Sequence, residues 1–423
     1  MPSDQSRILL HIPAYREPEL IPTIEDALQQ AKYPERVVFG ICRQFSETDG
    51  FDNLDRYRSD PRFKIIDMPH TEARGLAYAR ALINDTLLDD EEYILQLDSH
   101  HRFAHHWDDT LITWHRDLER DGYNPILTGY LPSYNPKNDP DERVQEPWMQ
   151  RVNYFFSHGT IFIQPVLLTD WENCDAPVPS RFISGHFAFA RNAWAKTVRH
   201  DPGIFFSGEE ISLTVRSYTH GYDLFHPHRV VVWHETMRDS RDGKLVWDDM
   251  AKTDRSDQFW QKESDARARI RHLLGSSDES HDMTGFELGT VRTLGEYERY
   301  AGIHFASRRV QPETYDARFP PNPFQSDDQW TESLKYIGAC HFQITSRDFP
   351  SKDYDFILVA FDDDQGLCIR RLNVSGAPLK SLMEQGTEVT VNERFLSDVR
   401  IARVVCWGYS DARGWLERTE IRL

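Results

Sequence analysis

At residues 93–103 the chain reads YILQLDSHHRF. An apolar run leads into Asp98, and Ser99, His100, His101 and Arg102 follow directly. Side chains alternate along a strand, so Asp98 and His100 are expected on one side and His101 on the other. A hard carboxylate oxygen beside an imidazole suits Mn²⁺, Mg²⁺ or Zn²⁺, and two protein ligands leave positions open for a phosphate-bearing substrate. A third ligand has to come from elsewhere. His234, at the end of the apolar run VVVWHE, is the candidate. Simpler roles compete, since an Asp at a strand end also caps turns and a single His also packs in a partial core.

The elements that must position these residues alternate cleanly. RILLHIPAY is strand-like, PELIPTIEDALQQA has helical spacing through Leu20, Ile24 and Leu28, and RVVFGICRQ and FKIIDMP are again strand-like. EARGLAYARALINDTLL then has helical periodicity and EEYILQLDS closes the series. Strands separated by helices predict an α/β fold with a parallel sheet and helices on both faces. Ligands bind beyond the carboxyl ends of such strands, so Tyr15, Arg43, Asp67 and Asp98 are expected around one crevice. Residues 131–160, rich in Pro, Asn and charge, read as a long excursion or lid. SRFISGHFAFARNAWAKTV predicts a strand then a helix, SGEEISLTVRSYTHG a helix, and the charged stretch 235–285 a helix in its second half. Four prolines without apolar period in RRVQPETYDARFPPNPFQSDDQW mark a break, and 313–330 reads as a linker. The expected division is a domain over 1–312, that linker, and a small β-rich domain over 331–423 whose role the residues do not reveal.

With 68 acidic against 49 basic residues, the chain of 423 carries a formal charge of −19. Such a surface repels phosphate backbones and anionic lipid, which argues against nucleic acid and membrane partners. No stretch approaches the roughly 20 apolar residues of a membrane span, and the N-terminus predicts neither signal peptide nor anchor. Five scattered cysteines without C-x-x-C fit a reducing, cytoplasmic setting.

LQLDSHHRF is similar to the metal-binding D-x-D or D-x-H motif of GT-A nucleotide-sugar glycosyltransferases. IPAYRE, RGLAYAR, FISGHFAFAR, SGEEISLTVR and VVVWHE follow the segment order of the mucin-type polypeptide GalNAc-transferases. With LGTVRTLGEYERYAGIHF added, the chain most resembles the cytoplasmic hydroxyproline-polypeptide N-acetylglucosaminyltransferases and their bacterial relatives, over about residues 5–310.

The resemblance implies a GT-A domain holding a UDP-sugar and a divalent ion, Mn²⁺ before Mg²⁺, at Asp98, His100 and His234. It places Ala14, Tyr15, Arg43, Arg74 and Gly75 toward the uridine and phosphates. Ser184 and Gly185 would approach the sugar, with His186 either lining that pocket or packing beneath it. Ser-Gly-His stands here where the GalNAc-transferases have Gly-Gly, which weakens the steric argument for a glycine pair. Glu209 and Glu210 take the place of the acidic residues near sugar and acceptor, Glu209 being preferred. Two acids at a helix start are also what the helix dipole alone would select. Arg238 and Arg241 could close over the donor phosphates or form a solvated turn. The implied reaction is metal-dependent, retaining transfer of GlcNAc from UDP-GlcNAc to a protein or saccharide hydroxyl, without a named nucleophile. A metal-dependent hydrolase and a non-catalytic sugar-nucleotide-binding protein are the alternatives. Oligomeric state is not legible.

Overall fold

The computed structural model describes residues 6–156, 158–237, 245–251, 256–277, 279–323 and 326–422. Arg238 and Arg241, the residues of the expected donor lid, lie outside them.

The chain opens with β1 (Ile8–Tyr15), seven of whose eight residues are buried. A strand apolar on both faces has to be covered on both, and here it is. Helix α1 (Leu20–Gln30) crosses to β2 (Val37–Phe45), which pairs in parallel with β1 and with β3 (Phe63–Pro69). Helix α2 (Leu76–Leu87) returns the chain to β4 (Tyr93–Leu97), parallel to β1 on its other side. The short β5 (His101–Phe103) leaves the sheet, α3 (Trp107–Arg120) covers it, and β6 (Pro125–Thr128) rejoins it. Ile8, Leu10 and Ile12 meet Leu20, Ile24 and Ala27 of α1 and Trp107 and Leu111 of α3 in one core. The opposite face packs Cys42 against Ala79 and Ile83 of α2.

Next, β7 (Trp148–Phe155) and β8 (Ile161–Leu167) form an antiparallel hairpin, so the expected lid over 131–160 carries regular structure in its second half. The second half of the sheet uses β9 (Val178–Pro179), β10 (Phe187–Arg191) and, after α4 (Asn192–Thr197) and α5 (Glu209–Thr219), β11 (Asp223–His226). The resulting order is β3-β2-β1-β4-β10-β6-β11-β9, with β10 antiparallel to both neighbours. The sheet is parallel in its first half and mixed beyond. A separate two-stranded ribbon joins β12 (Val232–His234) to β5, with His234 opposite His101. Helices α6 (Val246–Ala251), α7 (Ser256–Leu273) and α8 (Leu294–Ala301) follow, α8 starting on a capping box between Thr293 and Glu296. No helix among the described residues is long and apolar enough to cross a membrane.

After the small ribbon of β13 (Ile303–His304) and β14 (Arg309–Val310), the expected linker carries α9 (Pro312–Tyr315) and α10 (Asp327–Ser333). It is tied down. Buried Arg181 donates to the carbonyls of Ala301 and Arg318 and to the Asn322 side chain, which also bonds Gln311 and Thr314. The prolines break helices here without releasing the chain, because these polar contacts satisfy the backbone. Beyond it lie β15 (Tyr336–Ile344), β16 (Phe356–Asp362), β17 (Cys368–Val374), α11 (Gly376–Gln385), β18 (Val389–Ser397), β19 (Arg403–Ser410) and β20 (Gly414–Arg422). The β15-β18 pair and the β17-β16-β19-β20 sheet share a core of Ile344, Ile357, Val359, Phe361, Leu382, Phe395 and Val404. This unit docks on β7, where Arg394 donates to the Val152 and Asn153 carbonyls at 2.6 and 3.1 Å.

Gly302 caps α8 at φ +65°, and a β-carbon there would lie 2.0 Å from Asn322 Nδ2 and 2.2 Å from Thr314 Oγ1. Gly275 has nearly the same φ, +61°, but open space around it. Gly302→Ala is expected to cost at least about 2 kcal/mol more than Gly275→Ala, since both carry the left-handed penalty and only one carries the clash. Urea unfolding of the two variants measures the difference; equal costs would rule out the packing argument.

Candidate active site

Asp98 is the first residue past β4, a strand buried at all five positions. Thr23 of α1 fixes the turn that follows, because its hydroxyl accepts from His101 N at 2.8 Å and reaches the Ser99 carbonyl at 3.2 Å. His101 serves this turn with both ring nitrogens. Nε2 accepts from Asp98 N at 3.1 Å, so Nδ1 carries the proton and donates to the Trp233 carbonyl at 2.9 Å. The expected separation of His100 from His101 therefore holds in chemistry rather than direction: the two rings stack 5.8 Å apart, but His101 has no nitrogen to spare.

The β5-β12 ribbon brings His234 to His100 across 134 residues, with Nε2 atoms 3.0 Å apart. Asp98 Oδ2 lies 3.5 Å from His234 Nε2 and 3.7 Å from His100 Nε2. One ion with bonds of about 2.1 Å places adjacent ligand atoms about 3.0–3.4 Å apart for right-angled to tetrahedral geometry, so the residues fit a divalent ion. Glu17 supports the fit. It is buried, and its Oε2 lies 3.0 Å from His100 Nδ1, which leaves Nε2 with its lone pair toward the site. Withdrawal from solvent would raise the Asp98 carboxyl. The hydrogen bond from His234 and the charges of Arg80, His100 and His234 outweigh it and hold the group well below the usual carboxylate range.

Behind the triad stands Arg80 of α2, entirely buried. Its guanidinium donates to Asp98 Oδ1 at 2.8 Å, to the Gly185 carbonyl at 2.7 Å and to the Leu97 carbonyl at 3.1 Å. Nε lies 3.0 Å from Glu209 Oε1, an ion pair not aligned as a hydrogen bond. Glu209 Oε1 is also 3.2 Å from His200 Nδ1, and His200 Nε2 bonds Gln96 Oε1 at 2.7 Å. Glu210 accepts from Gly185 N and from the Tyr130 hydroxyl, both at 2.9 Å. Burial, partly offset by Arg80, pushes Glu209 up to about 7. Burial likewise raises Glu210 to about 7 against the bonds from Gly185 and Tyr130.

Two cavities meet at this cluster. One is lined by Tyr15, Glu17, Gln44, Gly75, His100 and Trp247 among others. The second is lined by Tyr130, Phe162, His186, Glu209, Glu210 and His234 among others. Asp98, Leu76 and Phe206 belong to both walls.

The candidates fall into place unevenly. Tyr15 lines the first cavity and donates to Asp249 at 2.9 Å, while Ala14 is buried beside it. Gly75 is required, because at φ +106° a β-carbon would lie 2.4 Å from the Phe205 carbonyl oxygen. Ser184 is buried, and its hydroxyl lies 3.1 Å from His186 Nδ1. His186 lines the second cavity and stacks on His234 at 4.4 Å and 14°. A β-carbon on Gly185 would stand 3.6 Å from Glu209 Oε2, an ordinary contact, so it would occupy space before the acids without clashing.

Two arginines stand away from both walls. Arg43 pairs with Asp52 at 2.8 Å and Asp67 at 3.3 Å, because its strand-end position faces those acids. Arg74 is exposed and lies over the Tyr78 ring at 5.0 Å, since it precedes the turn that Gly75 makes into the site. The arginine at the centre is Arg80, six residues on. Its signal was present: a lone charge at helical spacing between buried Ala77 and Ile83. Glu17, Gln44, Tyr130, His200 and Trp247 left no such mark.

Glu17→Gln keeps the shape of the site but removes the charge that holds His100. Mn²⁺ affinity, measured calorimetrically, is expected to fall about 10–100-fold with an unchanged circular dichroism spectrum. Unchanged affinity would mean that Glu17 plays no part in holding an ion.

The family model described as Glycosyltransferase (GlcNAc) matches residues 7–62 and 53–307. Among similar solved structures, GalNAc-T7 with UDP, GalNAc and Mn²⁺ aligns over 100% of this chain and 73% of its own, at 13% identity and a TM-score of 0.50. S. aureus TarS 1–349 with UDP-GlcNAc aligns over 74% and 84%, at 14% identity and 0.35. The mannosyltransferase PcManGT from Pyrobaculum calidifontis, with GDP-Man and Mn²⁺, aligns over 66% and 78%, at 12% identity and 0.37. A comparison with curated protein sequences gives no match. At these identities the likeness is one of fold, and it rests on the first of the three structures. The chain belongs to the GlcNAc glycosyltransferase family: it is a glycosyltransferase of GT-A fold.

Proposed function

We propose that the protein moves N-acetylglucosamine from UDP-GlcNAc to a hydroxyl of a protein or saccharide, with retention at the anomeric carbon. A divalent ion, Mn²⁺ before Mg²⁺, would be held by Asp98, His100 and His234. The observation that carries this reading is the place of that triad, on the partition between two cavities, with Asp98 in both walls. A sugar nucleotide has the same layout: a base and a sugar joined through a diphosphate that needs positive charge. The family description supports GlcNAc, and retention follows from the resemblance of the motifs. The five cysteines, all free, support a reducing, cytoplasmic setting.

The first cavity offers the aromatic rings of Tyr15 and Trp247 and the amide of Gln44, which suit a pyrimidine nucleoside. The second offers Tyr130, Phe162 and Phe206 beside Glu209 and Glu210, which suit a sugar ring whose hydroxyls donate to carboxylates. Bound at the triad, a divalent ion would act as a Lewis acid on the diphosphate and offset the charge of the leaving group. Arg80 keeps Asp98 ionised for that task and fixes Gly185 and Glu209 at the sugar side. Both oxygens of Glu210 are engaged in holding Gly185 N and Tyr130, so Glu209 is the acid we assign to the sugar or acceptor hydroxyl.

Purified protein with Mn²⁺ and a panel of UDP-sugars is expected to release UDP preferentially from UDP-GlcNAc. EDTA, and separately His100→Ala, should each lower that rate at least about 100-fold, or roughly 2.7 kcal/mol of barrier. Turnover that survives both changes would sink the metal assignment. Phosphate release from unrelated esters without UDP-sugar preference would favour a hydrolase.

A further inference from the structure

The β7-β8 hairpin buries one face and presents the other. Val152 and Ile163, then Phe155 and Ile161, pair across it and pack into the core beneath. Strict alternation from Val152 would turn Tyr154 inward as well. A register shift between Val152 and Tyr154 adds Asn153 to β7, so Tyr154 instead stands opposite Phe162, which is 38% exposed. Phe156 completes a row of rings, since the Tyr154 centroid lies 5.1 Å from that of Phe162 and 5.2 Å from that of Phe156. Phe156 and Phe162 line the second cavity. Tyr154 lines a separate groove, between β7 and the C-terminal unit. The row of rings therefore joins the cavity to the groove.

The other wall of the groove is the β15-β18 ribbon. His341 pairs with Asn392 and Ala339 with Arg394, so these side chains share one face of it. His341 and Asn392 are exposed, and with Asn153 of β7 they offer an imidazole and two amides. The charged side chains of the groove are already engaged. Glu393 accepts from Arg370, and Arg394 donates to the carbonyls of Val152, Asn153 and Tyr315. A charged occupant would have to displace one of these pairs. A peptide adding itself to β7 as a strand would need the Val152 and Asn153 carbonyls that Arg394 holds. A neutral sugar chain meets neither obstacle. Its C–H faces pack on aromatic rings, and its hydroxyls both donate to and accept from amide and imidazole groups.

We propose that the acceptor is a neutral oligosaccharide. Its reacting end lies in the second cavity, and its body crosses Phe162 and Tyr154 into the groove between β7 and the β15-β18 ribbon. The inference rests on the glycosyltransferase reading and names the acceptor class for it. It also gives the C-terminal unit a task, that of holding the sugars beyond the reacting one.

Length series test it: chitin, cellulose and starch fragments of increasing length from the single sugar upward, beside hydroxyproline peptides of increasing length. Binding is measured by calorimetry, and transfer from UDP-GlcNAc is followed with the same compounds. The proteins are the wild type, Tyr154→Ala, Tyr154→Phe and His341→Ala/Asn392→Ala, with circular dichroism to check each fold. At least one sugar series is expected to gain about tenfold or more in affinity with length, and KM for transfer should fall in parallel. Tyr154→Ala and His341→Ala/Asn392→Ala should each erase most of that gain, while Tyr154→Phe should keep it. The double variant changes two exposed positions, so the test stands even if Tyr154→Ala fails to fold. No gain with length in any sugar series, or a gain that survives both alanine variants, would overturn the proposal. A gain confined to the peptides and lost in the same variants would overturn it in favour of a protein acceptor. Length-dependent sugar binding that the variants abolish, without turnover of UDP-GlcNAc, would support the groove and count against the glycosyltransferase reading instead.

Discussion

A buried guanidinium holds this site together. Arg80 is wholly removed from water, and an isolated charge there would cost several kcal/mol. Two carboxylates and two backbone carbonyls offset that cost, and they come from three parts of the site: Leu97 and Asp98, Gly185, and Glu209. The end of β4, the approach to β10 and the start of α5 are therefore joined through one side chain. The consequence is chemical as well as structural. Asp98 stays ionised beside two imidazoles, as a metal ligand must.

Around that centre the protein uses ordinary hydrogen-bond constraints to decide what each histidine does. His101 spends both nitrogens on the backbone and becomes part of the frame. His186 receives Leu131 N on Nε2 and stacks beneath His234. His100 has Glu17 at Nδ1, so only Nε2 is left to face the site. Four imidazoles crowd together, yet their partners divide them into two that face Asp98 and two that brace the backbone around it.

The two cavities follow from the sheet. Its first half is parallel, so the loops after β1 and β4 open on one side and line the first cavity. The antiparallel insertion of β10 turns Gly185 and His186 back toward the same edge, and α5 then presents its two acids there. The β7-β8 hairpin closes the far side of the second cavity and is also the strand pair on which the C-terminal unit docks. That unit is positioned by the same hairpin that walls the second cavity.

Much of this was legible from residue order alone. The alternation of buried strands and amphipathic helices, the i and i+2 pairing of Asp98 with His100, and the strand-end position of His234 are local or periodic features, and periodicity survives in one dimension. Arg80 was half legible, as a charge on an apolar helical face, but nothing in the helix said that two carboxylates and two carbonyls would surround it. Glu17, the partner of His100 from 83 residues away, carried no local mark at all. The sequence by itself determined which elements form and which side chains stand at their ends. Only the tertiary structure decided which of those side chains meet. Hydrogen-bond partners and desolvation depend on groups brought together by packing, and no period in the chain encodes them.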